Sequence, residues 1–90
     1  MAKKRERLEV IKDILESVRD SRNIKPTRLL YSSNLSPQMF KDYVDELLNK
    51  GFIKLDVDNE GKKTFSITKR GNEFLEEYRL IQNFIDNFGL

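Results

Sequence analysis

Ser36, Gln38 and Lys41, followed by Asp42, Asp45 and Glu46, gather the most versatile side chains of the sequence into one short stretch. A glutamine amide matches the donor–acceptor edge of adenine, and a lysine ammonium matches the paired acceptors of guanine. Ser36 precedes Pro37 at what reads as a helix entry. Its hydroxyl and the free N–H groups there can hold a phosphate, or the serine can simply cap. Asp42, Asp45 and Glu46 share a helical face, which raises metal binding or acid–base work. Further ligands are absent nearby and Lys41 and Lys50 neutralise the acids locally, so a solvated face is the expected role and no metal is expected.

Other cations lie outside this stretch. Thr27 and Arg28 open a short helix and can clamp a phosphate, although Arg28 can equally pair with one of the acids just named. Lys62 and Lys63 sit at a turn from which they can reach a nucleic-acid backbone or minor groove, or serve solubility alone. Lys3, Lys4, Arg5 and Arg7 form a basic arm, which would add sequence-independent affinity for a polyanion.

Absent residue types exclude much other chemistry. The 90 residues contain no cysteine and no histidine. Disulfides, thiolate catalysis, cysteine zinc sites and every serine–histidine triad are thereby ruled out. Carboxylate, lysine or tyrosine catalysis would need a pocket that a chain of this length rarely builds, so neither an enzyme nor a cofactor is expected. No apolar run approaches the roughly 18 residues that cross a bilayer. The basic N-terminus has no apolar segment behind it, so a cytoplasmic location is expected.

The net charge of +2 conceals an asymmetry. Residues 1–30 hold nine Lys/Arg against five acids, while residues 31–50 hold two against three. Residues 51–67 balance at three each, and residues 68–90 hold three bases against four acids. The positive excess sits in the first third, which fits either a polyanion partner or an ordinary solvated helix.

These residues need elements to position them. Leu8, Ile11, Ile14, Leu15 and Val18 form one apolar stripe on a helix over about residues 5–21. Pro26 opens a second helix that ends near Ser32 or Ser33, with Leu29 and Leu30 as its apolar contacts. Ser36 and Pro37 start a third, whose Phe40, Val44, Leu47 and Leu48 turn inward and whose end is Gly51. The two short helices are separated only by Asn34 to Ser36, the spacing of a helix-turn-helix. Residues 52–57 and 64–67 read as strands around the turn Asp58-Asn59-Glu60-Gly61. Thr68 then caps a last helix to about residue 87. Three helices, a hairpin and a helix describe an α+β winged helix-turn-helix. In that arrangement Gln38 and Lys41 lie on the first turns of the groove-facing helix, with the later acids limiting deeper insertion.

The runs Pro26-Thr27-Arg28-Leu29-Leu30-Tyr31, Asn34-Leu35-Ser36, Tyr43-Val44-Asp45-Glu46-Leu47, Lys50-Gly51-Phe52-Ile53 and Ile67-Thr68-Lys69-Arg70-Gly71 resemble an archaeal winged helix-turn-helix family. The resemblance covers roughly residues 6–88. It implies the fold, double-stranded DNA as partner, and a homodimer joined by an antiparallel coiled coil of the long last helices.

The last helix supports the same expectation by its spacing. Phe74, Tyr78, Ile81, Ile85 and Phe88 recur at intervals of 4, 3, 4 and 3, a heptad seam widened by Leu75, Leu80 and Phe84. A helix of about 20 residues spans about 30 Å. Its C-terminal half therefore projects beyond a small core with large apolar side chains, unless it folds back over the first helix. The expected organisation is a DNA-binding unit over residues 1–71 continuous with a dimerisation helix over residues 72–90, in a transcription regulator or chromatin-associated factor. The alternatives are a winged-helix protein-interaction adaptor and an RNA-binding domain.

Overall fold

A computed structural model describes residues 7–90. The elements follow in the order α1 (Arg7–Ser21), α2 (Pro26–Ser33), α3 (Pro37–Asn49), β1 (Ile53–Val57), β2 (Lys63–Ile67) and α4 (Lys69–Asn87). This is the α+β winged helix-turn-helix that the sequence predicts.

The core draws one or more side chains from every element. Ile14, Leu15 and Val18 of α1 meet Leu29 of α2, Val44 and Leu47 of α3, Ile53 of β1, Phe65 of β2 and Leu75 of α4. Leu8 departs from the expected stripe and is exposed. It lies one turn beyond Val10 and Ile11, past the edge of the core.

Local chemistry sets each corner. Asn34 takes a left-handed conformation (φ 59°) between α2 and α3, a position that asparagine tolerates. The Ser33 hydroxyl donates to the Leu30 carbonyl (2.7 Å) and accepts from the Leu35 amide (3.3 Å). At the end of α3, the Phe52 amide reaches the Leu47 carbonyl (3.0 Å) and the Gly51 amide reaches Leu48 (3.1 Å). That pair of bonds is a Schellman motif, and Gly51 supplies its positive φ of 76°. Phe52 is thereby held in the helix cap, which is why β1 begins one residue later than the sequence pattern suggests.

The wing is an antiparallel pair with Ile53 opposite Ile67, Leu55 opposite Phe65 and Val57 opposite Lys63. Its turn is closed by the Asp58 carboxylate, which accepts from the amides of Glu60 (2.9 Å) and Lys62 (2.8 Å). Ile24 adds a short bridge on the far side of β2, exchanging two backbone hydrogen bonds with Phe65 (3.1 and 2.8 Å). The link between α1 and α2 is thus stitched to the wing, a pairing that no periodicity announces.

Candidate nucleic-acid interface

The exposed face of α3 carries Gln38, Lys41, Asp42 and Asp45, because Val44 and Leu47 on the opposite side are buried. Ser36 occupies the N-cap, and its hydroxyl accepts from the Met39 amide (3.3 Å). The Gln38 amide donates to Asp42 (3.1 Å). The Lys41 ammonium lies 2.8 Å from an oxygen of Asp45. That hydrogen bond and the charge of Asp45 raise the pKa of Lys41 above its ordinary value. Each candidate base-reading side chain is therefore matched with an acid one turn further along the helix.

Glu46 turns away from this face. Its carboxylate pairs with Arg7 of α1 and with Lys50 (3.4 Å). The Arg7 hydrogen bond, with the nearby charges, holds the carboxyl below its ordinary pKa. The Arg7 guanidinium also lies 5.9 Å from the centre of the Tyr43 ring, within cation–π range. Arg7 thus ties α1 to α3. The remainder of the expected basic arm (Lys3, Lys4 and Arg5) lies outside the described residues.

Two cations of the basic first third are matched by acids along α1 itself. Lys12 faces Asp13 (3.2 Å) and Glu16 (3.8 Å), and Arg19 faces Asp20 (2.9 Å). Among the described residues, Arg22, Lys25, Arg28, Lys62, Lys63, Lys69 and Arg70 have no acid within ion-pair distance. Arg28 and Thr27 are exposed on α2, and Arg28 makes no pair with an α3 acid. Tyr31, one turn after Thr27 on the same face, is 82% exposed. Sequence reasoning assigned it no role, although its spacing from Thr27 places it there. Lys62 and Lys63 are exposed at the wing, on either side of the point where β2 begins.

The candidate dimer residues divide in two. Phe74 is half-buried against Phe52 (ring centres 5.5 Å apart) and stacks with half-buried Tyr78 (6.1 Å). Leu75 is buried, whereas Ile81 (59%), Phe84 (58%) and Phe88 (67%) are exposed. Ile85 is half-buried, and Leu8 of α1 lines a groove with Tyr78, Ile81 and Ile85. The start of α1 thus shields one flank of the seam and leaves the rest open.

Comparison with known proteins agrees with this architecture. An uncharacterized protein of Methanocaldococcus jannaschii is 37% identical over 70 residues, which is 78% of this chain and 66% of that protein. The chain therefore spans just under two thirds of that relative. Among solved structures, Sso10a-2, a DNA-binding protein from Sulfolobus solfataricus, is similar with a TM-score of 0.75 at 21% identity, covering 93% of this chain and 85% of that one. MepR, a transcription regulator of the Staphylococcus aureus multidrug efflux pump MepA, has a TM-score of 0.75 at 14% identity, covering 88% and 60%. Residues 4–86 match the winged helix-turn-helix family, and the chain belongs to that family.

Proposed function

We propose that this chain is a homodimeric double-stranded DNA-binding protein, serving as a transcription regulator or a chromatin-associated factor. Thr27, Arg28, Ser36, Gln38, Lys41, Lys62 and Lys63 contact DNA, and Phe74, Tyr78, Ile81, Ile85 and Phe88 form the dimer seam. The observation that carries the reading is the placement of cations without acidic partners. Lys25 precedes α2 as its N-cap residue and Arg28 lies on α2, the element before α3, while Lys62 and Lys63 stand on the wing after it. The description of Sso10a-2 as DNA-binding and of MepR as a transcription regulator favours the same reading. Electrophoretic mobility with duplex DNA at two salt concentrations is the test. A shift that weakens with salt is expected, and the absence of any shift at low ionic strength would overturn the proposal.

A protein-interaction adaptor is the second reading, and one observation favours it. Asp42 and Asp45 outnumber Lys41 on the exposed face of α3, which would suit a basic protein surface. Loss of duplex binding on Arg28→Ala or Lys62→Ala, with none on replacing the two acids, would exclude it.

A further inference from the structure

We propose that the Lys41–Asp45 pair reads a single G·C base pair in the major groove, with the lysine on guanine and the carboxylate on cytosine. The inference rests on the DNA-binding reading above and adds a base preference to it.

A net-negative recognition face is a poor phosphate binder, so the role of its acids needs another explanation. A carboxylate in a major groove can accept a hydrogen bond from a base amino group, and its characteristic partner is the amino group of cytosine. The geometry of the pair fits that use. Lys41 Nζ and Asp45 Oδ2 are 2.8 Å apart, a donor and an acceptor side by side. Guanine O6 and cytosine N4 are hydrogen-bonded to each other, so they also stand about 2.9 Å apart, with acceptor and donor in the complementary order. Docked edge to edge, the ammonium donates to O6 while N4 donates to the carboxylate. The lysine–aspartate bond survives, and no charge is left alone in the groove.

An A·T pair offers a similar central couple, thymine O4 beside adenine N6. The flanks decide between them. Beyond guanine O6 lies N7, a second acceptor for the ammonium, and beyond cytosine N4 lies no acceptor. In an A·T pair the position beside the ammonium is the thymine methyl, and the position beside the carboxylate is the lone pair of adenine N7. The first wastes a donor and the second repels the anion. The pair therefore favours G·C in one orientation. Gln38 and Asp42, coupled at 3.1 Å, sit one turn nearer the helix start and would face a neighbouring base pair.

Selection of bound sites from random duplexes tests this, followed by competition between a selected duplex and one with the G·C replaced by A·T. The wild type is expected to discriminate by roughly 5- to 150-fold, the range of one good base contact. Asp45→Asn and Lys41→Ala, both at exposed positions outside the core, should bring that ratio towards one. Asp45→Asn should also bind unselected DNA at least as tightly as wild type, because it removes a negative charge. Salt-sensitive binding without a G·C preference, or a preference untouched by Asp45→Asn, overturns the pair's role and leaves the DNA reading intact. Failure to bind any duplex at low salt overturns both.

Discussion

A methyl group on Gly71 would lie 2.3 Å from the carbonyl oxygen of Phe52, far inside van der Waals distance, and 2.7 Å from Cγ1 of Ile67. Gly71 is buried at the third position of α4, where the helix meets the end of α3 and the base of the wing. In an ordinary helix interior, Gly→Ala stabilises by about 0.5–1 kcal/mol. Here the obstacle is backbone, which cannot swing aside like a flexible side chain. Gly71→Ala is therefore expected to destabilise by about 1–3 kcal/mol. Thermal unfolding followed by circular dichroism should show a midpoint lower by about 4–8 °C per kcal/mol. A raised midpoint would mean that this close approach does not constrain the fold.

Thr68 completes the same junction. Its hydroxyl accepts from the Gly71 amide (3.1 Å) and offers its one proton to the carbonyls of Gly51 (2.6 Å) and Phe52 (3.0 Å). Thr68→Ala loses an N-cap and a bond between elements, for an expected cost of about 1–2 kcal/mol in urea unfolding. Thr68→Ser keeps the hydroxyl and should recover most of it. Equal losses in the two variants would show that the methyl, not the hydroxyl, matters.

The Arg7–Glu46 pair gives stability a dependence on acid. Its hydrogen bond and charge hold the Glu46 carboxyl below the ordinary glutamate value, so the folded state binds its proton less readily than the unfolded chain. The contribution is complete above the unfolded pKa of about 4.3 and fades as pH falls through the lower folded value. Arg7→Ala should reduce stability at pH 7, and its gap from wild type should close below about pH 4. Unfolding midpoints at a series of pH values measure this. A gap that stays constant into the acid range would show that Arg7 acts by packing on Tyr43 alone.

Much of this architecture was legible because its signals are local. Ser36-Pro37, Gly51 and Thr68 mark helix ends through their own backbone preferences, and the elements begin and end within a residue or two of those marks. What stayed hidden depends on residues far apart in sequence. Ile24 pairs with Phe65 across the wing, and Arg7 reaches Glu46 from another helix. Burial of Leu8 failed for the same reason, since periodicity identifies a face but not where the core beneath it stops. The charge count was the weakest guide. It registered an excess in the first third without revealing that the α1 cations are matched by acids on the same helix or on α3.

That pairing yields a prediction for DNA affinity. A cation without a partner releases counterions when it meets a phosphate, and each phosphate so neutralised adds about 0.9 to the slope of log affinity against log salt. Arg28→Ala and Lys62→Ala/Lys63→Ala should each flatten that slope, by about one unit for every phosphate no longer neutralised. Lys12→Ala, on an α1 lysine held by Asp13 and Glu16, should leave it nearly unchanged. Titrations of a fixed duplex at four or five salt concentrations provide the slopes. A flattening by Lys12→Ala as large as that by Arg28→Ala would place the DNA-facing surface on α1 instead.

The seam on α4 makes the most direct demand on a partner. The helix is 19 residues long, about 28 Å, yet among its described residues only Gly71 and Leu75 are buried. Beyond Leu75 the side chains of Leu80, Ile81, Phe84 and Phe88 remain about half exposed or more, a patch larger than scattered surface hydrophobes explain. A second copy laid along the same face would cover it with twofold symmetry. Sedimentation should therefore give a dimer at tens of micromolar, and the thermal midpoint should rise with protein concentration. Ile81→Asp/Ile85→Asp is expected to weaken association by at least about 100-fold. Ile81 is exposed and Ile85 lies outside the core cluster, so the variant should retain its helical circular dichroism as a monomer. A wild type that sediments as a monomer at those concentrations would remove the basis for the coiled coil.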